Sequence, residues 1–199
     1  MVRNKKIIYG TICFLLTMTL LGVILYLNRD EAKVDREIDS YKGAVVYDNG
    51  KNLENNYGRH YSEDGYYYGE KWQCVEFVKR FYYEAKGHRM PDILGNAKDF
   101  FDPAVPQGKL NHRRGLLQFR NGGNVRPEVD DLLIFTGGKY GHVAIISVVN
   151  GDSIEIIQQN VMGHSRQILP MTIKKAHYYI GTTNPPDGWL RQENAQLNH

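Results

Sequence analysis

The stretch "EKWQCVEFVKRFYYEAKG" (residues 70–87) decides the fold of this 199-residue chain. Its apolar residues recur every three or four positions, which is the spacing of one face of an amphipathic helix. These residues are Cys74, Phe77, Val78, Phe81, Tyr82 and Ala85. Gly87, which follows them, is typical of a helix C-cap. The pattern predicts a helix over residues 72–86 that carries Cys74 in its first turn, on the inward face.

Short segments rich in β-branched residues follow in the second half of the chain. They are "DLLIFT" (131–136), "HVAIISVV" (142–149), "SIEIIQQN" (153–160) and "AHYYIGTT" (176–183). Asn150 and Gly151, between two of them, form a strong hairpin signal. "GAVVY" (43–47) predicts one earlier strand, whereas residues 88–126 are predicted to form short helices and loops. The order of these elements predicts an α+β fold, with one early helix packed on a late antiparallel sheet.

The N-terminal segment has a different character. Residues 7–27 contain no charged side chain and follow the basic stub "MVRNKK". A run of this length is sufficient for a helix to cross a bilayer. It exceeds the apolar region of a signal peptide and is followed by "NRDEAK" without a cleavage site, so an uncleaved anchor is favoured over a cleaved signal. Lys and Arg are balanced on the two flanks, but the basic stub favours a cytoplasmic N-terminus. We therefore predict a single-pass membrane protein with an extracytoplasmic catalytic domain.

The predicted organisation has five parts. They are a basic stub (1–6), a transmembrane anchor (7–27), a charged linker (28–41), a folded domain (42–191) and a tail (192–199). The net charge of +3 is scattered rather than gathered into a basic stripe, so no nucleic-acid partner is predicted. The sequence contains no Gly-rich phosphate loop and no metal-ligand spacing, so neither a cofactor nor a metal is predicted.

The chain has two cysteines, and Cys13 lies in the predicted anchor. Cys74 is therefore the only thiol of the predicted folded domain, where it has no partner for an intramolecular disulfide. The unpaired N–H groups and the dipole at a helix N-terminus stabilise a thiolate, so this position suits a nucleophile. It suits a cysteine packed in the core equally well.

His142 favours the catalytic interpretation. It begins a predicted strand after "GGKYG", where glycines allow a ligand to approach the backbone closely. The other histidines lie in predicted loops or in the tail, except His177, which begins another predicted strand and remains a rival.

A group that orients the histidine is expected on the neighbouring strand of the hairpin. Gln158 and Asn160 share the parity of Ile154 and therefore one face of that strand. Glu155 has the opposite parity and would reach the histidine only with a shifted register.

These motifs resemble the CHAP family of cysteine, histidine-dependent amidohydrolases and peptidases. The resemblance rests on "KWQCVEFVKRF", "GHVAII" and the "QN" of "IIQQN". Within the family it points to the amidase domain that accompanies glutathionylspermidine synthetase. It implies a papain-like fold, in which Cys74 is the nucleophile, His142 the general base and Gln73 the oxyanion-hole residue. Asn160 matches the family's asparagine, whereas Gln158 stands where this amidase branch has a catalytic glutamate.

The resemblance implies a thiol-dependent amidase or peptidase. Because the predicted anchor places the domain outside the cytoplasm, peptidoglycan is the expected substrate. One alternative is a glutathione–polyamine conjugate, which the amidase branch suggests. A second alternative is a membrane-tethered binding module without activity, because Gln158 replaces the catalytic glutamate.

Overall fold

The computed structural model describes residues 2–31 and 35–193, and it divides into two units, residues 1–36 and 37–199. The first unit contains helix α1 (Val2–Glu31). The end of the predicted tail, from residue 194 onward, lies outside the described residues.

The predicted membrane anchor is not supported. Over the described residues, no helix combines the length and the apolar character that crossing a bilayer requires. The predictions of a transmembrane helix and of a single-pass membrane localisation are therefore wrong.

The second unit consists mostly of β strands. Its first part contains β1 (Glu37–Tyr41), β2 (Ala44–Tyr47), β3 (Arg59–Tyr61), β4 (Tyr67–Glu70), helix α2 (Cys74–Lys86) and a 3-10 turn (Ala97–Phe100). Its second part contains β5 (Lys109–Asn111), β6 (Leu116–Arg120), β7 (Leu132–Phe135), β8 (His142–Val149), β9 (Ser153–Ile157), β10 (Arg166–Lys174), β11 (His177–Ile180) and β12 (Gly188–Arg191).

Eight of these strands form one antiparallel sheet in the order β11-β10-β9-β8-β7-β12-β6-β5. Strands β1 and β2 form a separate antiparallel pair, and so do β3 and β4. The predicted hairpin at Asn150 is confirmed, because β8 pairs with β9 and the Asn150 N–H donates to the Ser153 carbonyl at 2.8 Å.

The predicted fold class, α+β with a preceding transmembrane helix, is wrong. The described chain is mostly β sheet and has only two α-helices. Residues 88–126 were expected to supply short helices, but their regular structure is one 3-10 turn and strands β5 and β6. The polar segment 48–65, for which no strand was predicted, supplies β3. Neither segment has a clear apolar periodicity, and pairing with β4, β6 and β12 provides the hydrogen bonds that local sequence does not predict.

Helix α2 packs its apolar face on the sheet. Phe77 and Phe81 are fully buried in one cluster with Val143 and Ile145 of β8. Successive side chains of a strand point to opposite faces, and the next residue of β8, Ala144, belongs to a second buried cluster. Burial of each large apolar side chain contributes about 1.5–3 kcal/mol. This packing fixes the N-terminus of α2 beside the start of β8.

Candidate active site

A groove of about 740 Å³ opens where α2 and β8 begin. Gln73 and Cys74 line it from the helix, and His142 lines it from the sheet. Segments 53–56, 93–97, 137–141 and 160–162 complete its walls. The groove therefore brings together four of the five predicted site residues, Gln73, Cys74, His142 and Asn160, and Gln158 lies behind His142.

Cys74 is the first residue of α2 and is 8% exposed. Burial raises the pKa of its thiol, and hydrogen bonds from the backbone of Val143, Val75 and Cys74 itself oppose this increase. The Val143 amide follows His142 directly in the chain, so the sulfur lies against the first residues of β8. Because burial has the larger effect, the free thiol is the resting form.

His142 is the first residue of β8, and the glycine before it explains its placement. Gly141 has φ +73°. A Cβ atom there would lie only 2.6 Å from both the Lys98 nitrogen and the Phe135 carbonyl oxygen, so the loop packs too closely for a side chain. This close packing brings His142 to the edge of the groove.

The His142 imidazole is held by Gln158, whose Oε1 lies 2.9 Å from Nε2. An amide oxygen only accepts hydrogen bonds, so Nε2 carries the proton and Nδ1 is left as an acceptor. Burial lowers the pKa of His142, and the Gln158 oxygen partly opposes that decrease. The resting imidazole is therefore neutral, with its Nδ1 available as a base.

Gln73 and Asn160 contact each other rather than His142. The Asn160 Nδ2 group donates to Gln73 Oε1 and, at 3.0 Å, to the Leu53 carbonyl. The Gln73 Nε2 group donates to the carbonyls of Asn55, at 2.8 Å, and of Leu53, at 3.2 Å. Both side chains thus attach the loop at residues 53–55 to the first turn of α2.

The two weaker sequence candidates lie elsewhere. Glu155 accepts hydrogen bonds from Ser147, at 2.7 Å, and from Arg166, at 2.9 Å. His177 is exposed, and its Nδ1 lies 2.8 Å from the Lys175 carbonyl oxygen. Neither residue lines the groove.

Sequence reasoning missed a buried polar network beneath the first turn of α2. The Glu76 carboxylate is fully buried and accepts hydrogen bonds from Arg80 Nε at 2.6 Å and from Gln159 Nε2 at 2.7 Å. His60 Nδ1 lies 2.8 Å from the same carboxylate. Gln159 Nε2 also donates to the Gln73 carbonyl at 3.0 Å, immediately before Cys74. The signal for this network was the parity of Gln159, which faces away from Gln158 and so toward the helix.

Metal ligation is not indicated in the described part of the chain. No group of three or more His, Cys, Asp or Glu side chains among residues 2–31 and 35–193 is arranged to hold a metal ion.

Comparison with known proteins gives consistent results. The bifunctional glutathionylspermidine synthetase/amidase of Escherichia coli (strain K12) is 38% identical to this chain over 104 residues. The match covers 50% of this chain and 17% of that protein, and the Shigella flexneri protein of the same name gives the same values. Trypanothione synthetase of Crithidia fasciculata is 32% identical over 105 residues, which are 51% of this chain and 16% of that protein. The matched part is thus about a sixth of the length of these relatives.

A family model described as the CHAP domain matches residues 63–160, a segment that contains Cys74, His142 and Gln158. Together with the amidase relatives, this match supports a hydrolase of the cysteine amidohydrolase and peptidase class. Residues 63–160 of this chain are therefore similar to the CHAP domain family.

Proposed function

We propose that this protein is a thiol-dependent amidase in which Cys74 attacks an amide carbonyl and forms an acyl-enzyme. The observation that carries the proposal is the shared groove, which Cys74 and His142 both line while Gln158 Oε1 lies 2.9 Å from His142 Nε2. A nucleophile, a base and a group that orients the base are the three parts that such chemistry needs.

The reaction begins from a neutral pair. Burial raises the pKa of Cys74 and lowers that of His142, so both changes disfavour a resting thiolate–imidazolium pair. His142 Nδ1 therefore takes the thiol proton as sulfur attacks the carbonyl carbon. The imidazolium then protonates the leaving amine, and the neutral imidazole activates the water that releases the acid.

Backbone N–H groups supply the oxyanion site in this mechanism. The two hydrogens of the Gln73 amide are directed to the carbonyls of Asn55 and Leu53. The first N–H groups of α2, by contrast, have no partner within the helix, and the first intrahelical bond is from Phe77 to Gln73. The N–H groups of Cys74 and Val75 face the sulfur and are placed to stabilise negative charge beside it. Gln73 then serves to hold the groove wall.

The proposed substrate is an amide that joins the glycine carboxyl of glutathione to a polyamine. The expectation of peptidoglycan depended on an extracytoplasmic domain, and the membrane anchor that placed it there is contradicted. The names of the relatives favour the conjugate, since two of them include glutathionylspermidine and amidase. The unhindered glycyl carbonyl also suits a nucleophile that is 8% exposed.

The test is turnover of glutathionylspermidine by the full chain, measured as release of spermidine. Cys74→Ala is expected to lower kcat by about 10⁴-fold or more, because the covalent route is removed. Cys13→Ser is the matched control, as it removes the other thiol and should retain turnover. Equal turnover by the wild type and Cys74→Ala would overturn the proposal. Binding of the conjugate by both proteins, without product from either, would favour the silent binding module instead.

A further inference from the structure

A second cavity, of about 730 Å³, adjoins the groove. The two share a wall formed by Tyr67, Glu70, Ile93 and Leu94. The second cavity is also lined by Arg59, Tyr61, Tyr66, Arg89, Met90 and Pro91. Its shared wall makes it a continuation of the groove on the side of β3 and β4.

The carboxylates around this cavity already have arginine partners. Glu70 lies 3.8 Å from Arg59, and Asp64 lies 2.8 Å from Arg89. The next loop follows the same pattern, with Asp92 2.9 Å from Arg113.

Two buried cations behind the shared wall have no such partner in the described part of the chain. Lys79 is 1% exposed and donates to the carbonyls of Tyr67, at 2.5 Å, and Ile93, at 3.0 Å. Arg114 is fully buried and donates to backbone carbonyls, including that of Leu94 at 3.2 Å. Three of the residues whose carbonyls accept these bonds, Tyr67, Ile93 and Leu94, form the wall between the two cavities.

This excess of positive charge affects Lys79 itself. Burial and the nearby Arg114 lower the pKa of Lys79 to about 8, and only Asp92 opposes the decrease. An anion in the second cavity would lie near this ammonium group, which is 5.1 Å from the Tyr66 ring centre and 5.2 Å from that of Tyr67. Charges are poorly screened in such partly enclosed sites, so the interaction is favourable.

We propose that the second cavity binds a carboxylate at the acyl end of the substrate, with Arg89 and Arg59 as its direct partners. This inference rests on the proposed function, because it assigns the two ends of the conjugate. Glutathione is the anionic end and remains on Cys74 as the acyl group. The polyamine end is cationic, is repelled by the positive charge behind the second cavity and leaves through the groove itself.

The test is calorimetric titration of the full-length Cys74→Ala protein with S-methylglutathione, which has no thiol to exchange. We expect binding that is lost with the diethyl ester of the same compound, whose carboxylates are blocked. Arg89→Gln and Arg59→Gln are each expected to weaken binding of the free acid by about tenfold, as a charge-assisted hydrogen bond is removed. Arg126→Gln, which changes an exposed arginine bonded to the Asn150 carbonyl, is the matched control and should not change it.

The inference is overturned if S-methylglutathione does not bind, if its diethyl ester binds equally, or if both cavity variants bind like Arg126→Gln. These binding results do not depend on turnover, so the amidase proposal and the subsite proposal are tested independently. Cleavage of glutathionylspermidine, together with normal binding by the cavity variants, would support the amidase proposal and reject the subsite proposal. Anion binding that depends on Arg89, without any cleavage, would support the subsite proposal and reject the amidase proposal.

Discussion

The two sides of the groove between α2 and β8 differ in how they use charge. On the helix side, the buried Glu76 carboxylate contacts Arg80, His60 and Gln159 at 2.6–2.8 Å. On the sheet side, the His142 imidazole has a neutral amide partner, Gln158, at 2.9 Å. A fixed negative charge thus lies beneath the first turn of α2, where it holds the helix, and His142 is oriented without one.

The difference shows how one short segment serves both sides. Gln158 and Gln159 are adjacent at the end of β9 and point in opposite directions. Gln158 contacts His142, whereas Gln159 contacts Glu76 and the Gln73 carbonyl that precedes Cys74. Consecutive residues thus contact the two sides of the groove, and the charge near one side can change without direct contact with the other.

The largest expected effect is the loss of stability when the buried Glu76 carboxylate on the helix side is removed. Glu76→Ala leaves Arg80 buried, at 4% exposure, without its carboxylate. Removing one partner of a buried ion pair costs about 3–5 kcal/mol of unfolding free energy. Urea denaturation measures the change. The matched control is Glu155→Ala, since Glu155 pairs with Arg166 at a partly exposed site and its loss should cost about 1 kcal/mol or less. Equal losses in the two variants would mean that the Glu76 network does not hold the helix.

The sequence predicted α2 and β8, which flank the groove, better than the rest of the fold, for physical reasons. Strand β8 occupies the predicted residues 142–149, and α2 ends at the predicted Lys86, because strong periodicity and a C-cap glycine mark these elements locally. Strands β5 and β6 depend on pairing across the sheet, which no local pattern encodes. The 7–27 segment was interpreted from its length, its lack of charge and its flanking residues.

The site shows the same limit at the level of single residues. Parity favoured both Gln158 and Asn160 as neighbours of His142; Gln158 Oε1 lies 2.9 Å from His142 Nε2, whereas Asn160 contacts Gln73. Parity did not predict that Gln73 would direct its amide hydrogens to Asn55 and Leu53, because the loop that supplies those carbonyls has no regular pattern. The sequence therefore located the chemical groups, and tertiary packing determined which hydrogen bonds they form.

The intermediate effect is a loss of activity when Gln158, on the sheet side, is replaced. Gln158→Leu removes the acceptor of the His142 N–H and leaves that donor buried. A hydrogen bond to a charged group contributes about 1.5–3 kcal/mol, so kcat/KM for glutathionylspermidine should fall by about 10–100-fold as the imidazolium forms in the reaction. Gln158→Glu is the matched variant. It should raise the pKa of His142 and shift the pH profile of Cys74 alkylation by iodoacetamide toward lower pH, because a carboxylate favours the imidazolium and so the thiolate. If both variants behave like the wild type, Gln158 does not orient the base.

The smallest expected effect is the pH dependence of stability that His142 contributes. Its pKa in the folded protein lies below the ordinary value of 6.5, so the unfolded chain binds the proton first as pH falls. Stability should therefore decrease as pH falls below about 6.5, by no more than about 1.4 kcal/mol per pH unit. Asp131 acts in the opposite direction, because burial raises its pKa to about 6 and the folded protein takes up that proton first.

Comparing the wild type with His142→Asn separates the two groups, since Asp131 is present in both proteins. Between pH 7.5 and pH 5.5, the wild type should lose more unfolding free energy in urea than the variant does. Parallel curves would show that His142 titrates normally in the folded protein. The base would then be charged near pH 6, and the contrast between a charged helix side and a neutral sheet side would not hold at that pH.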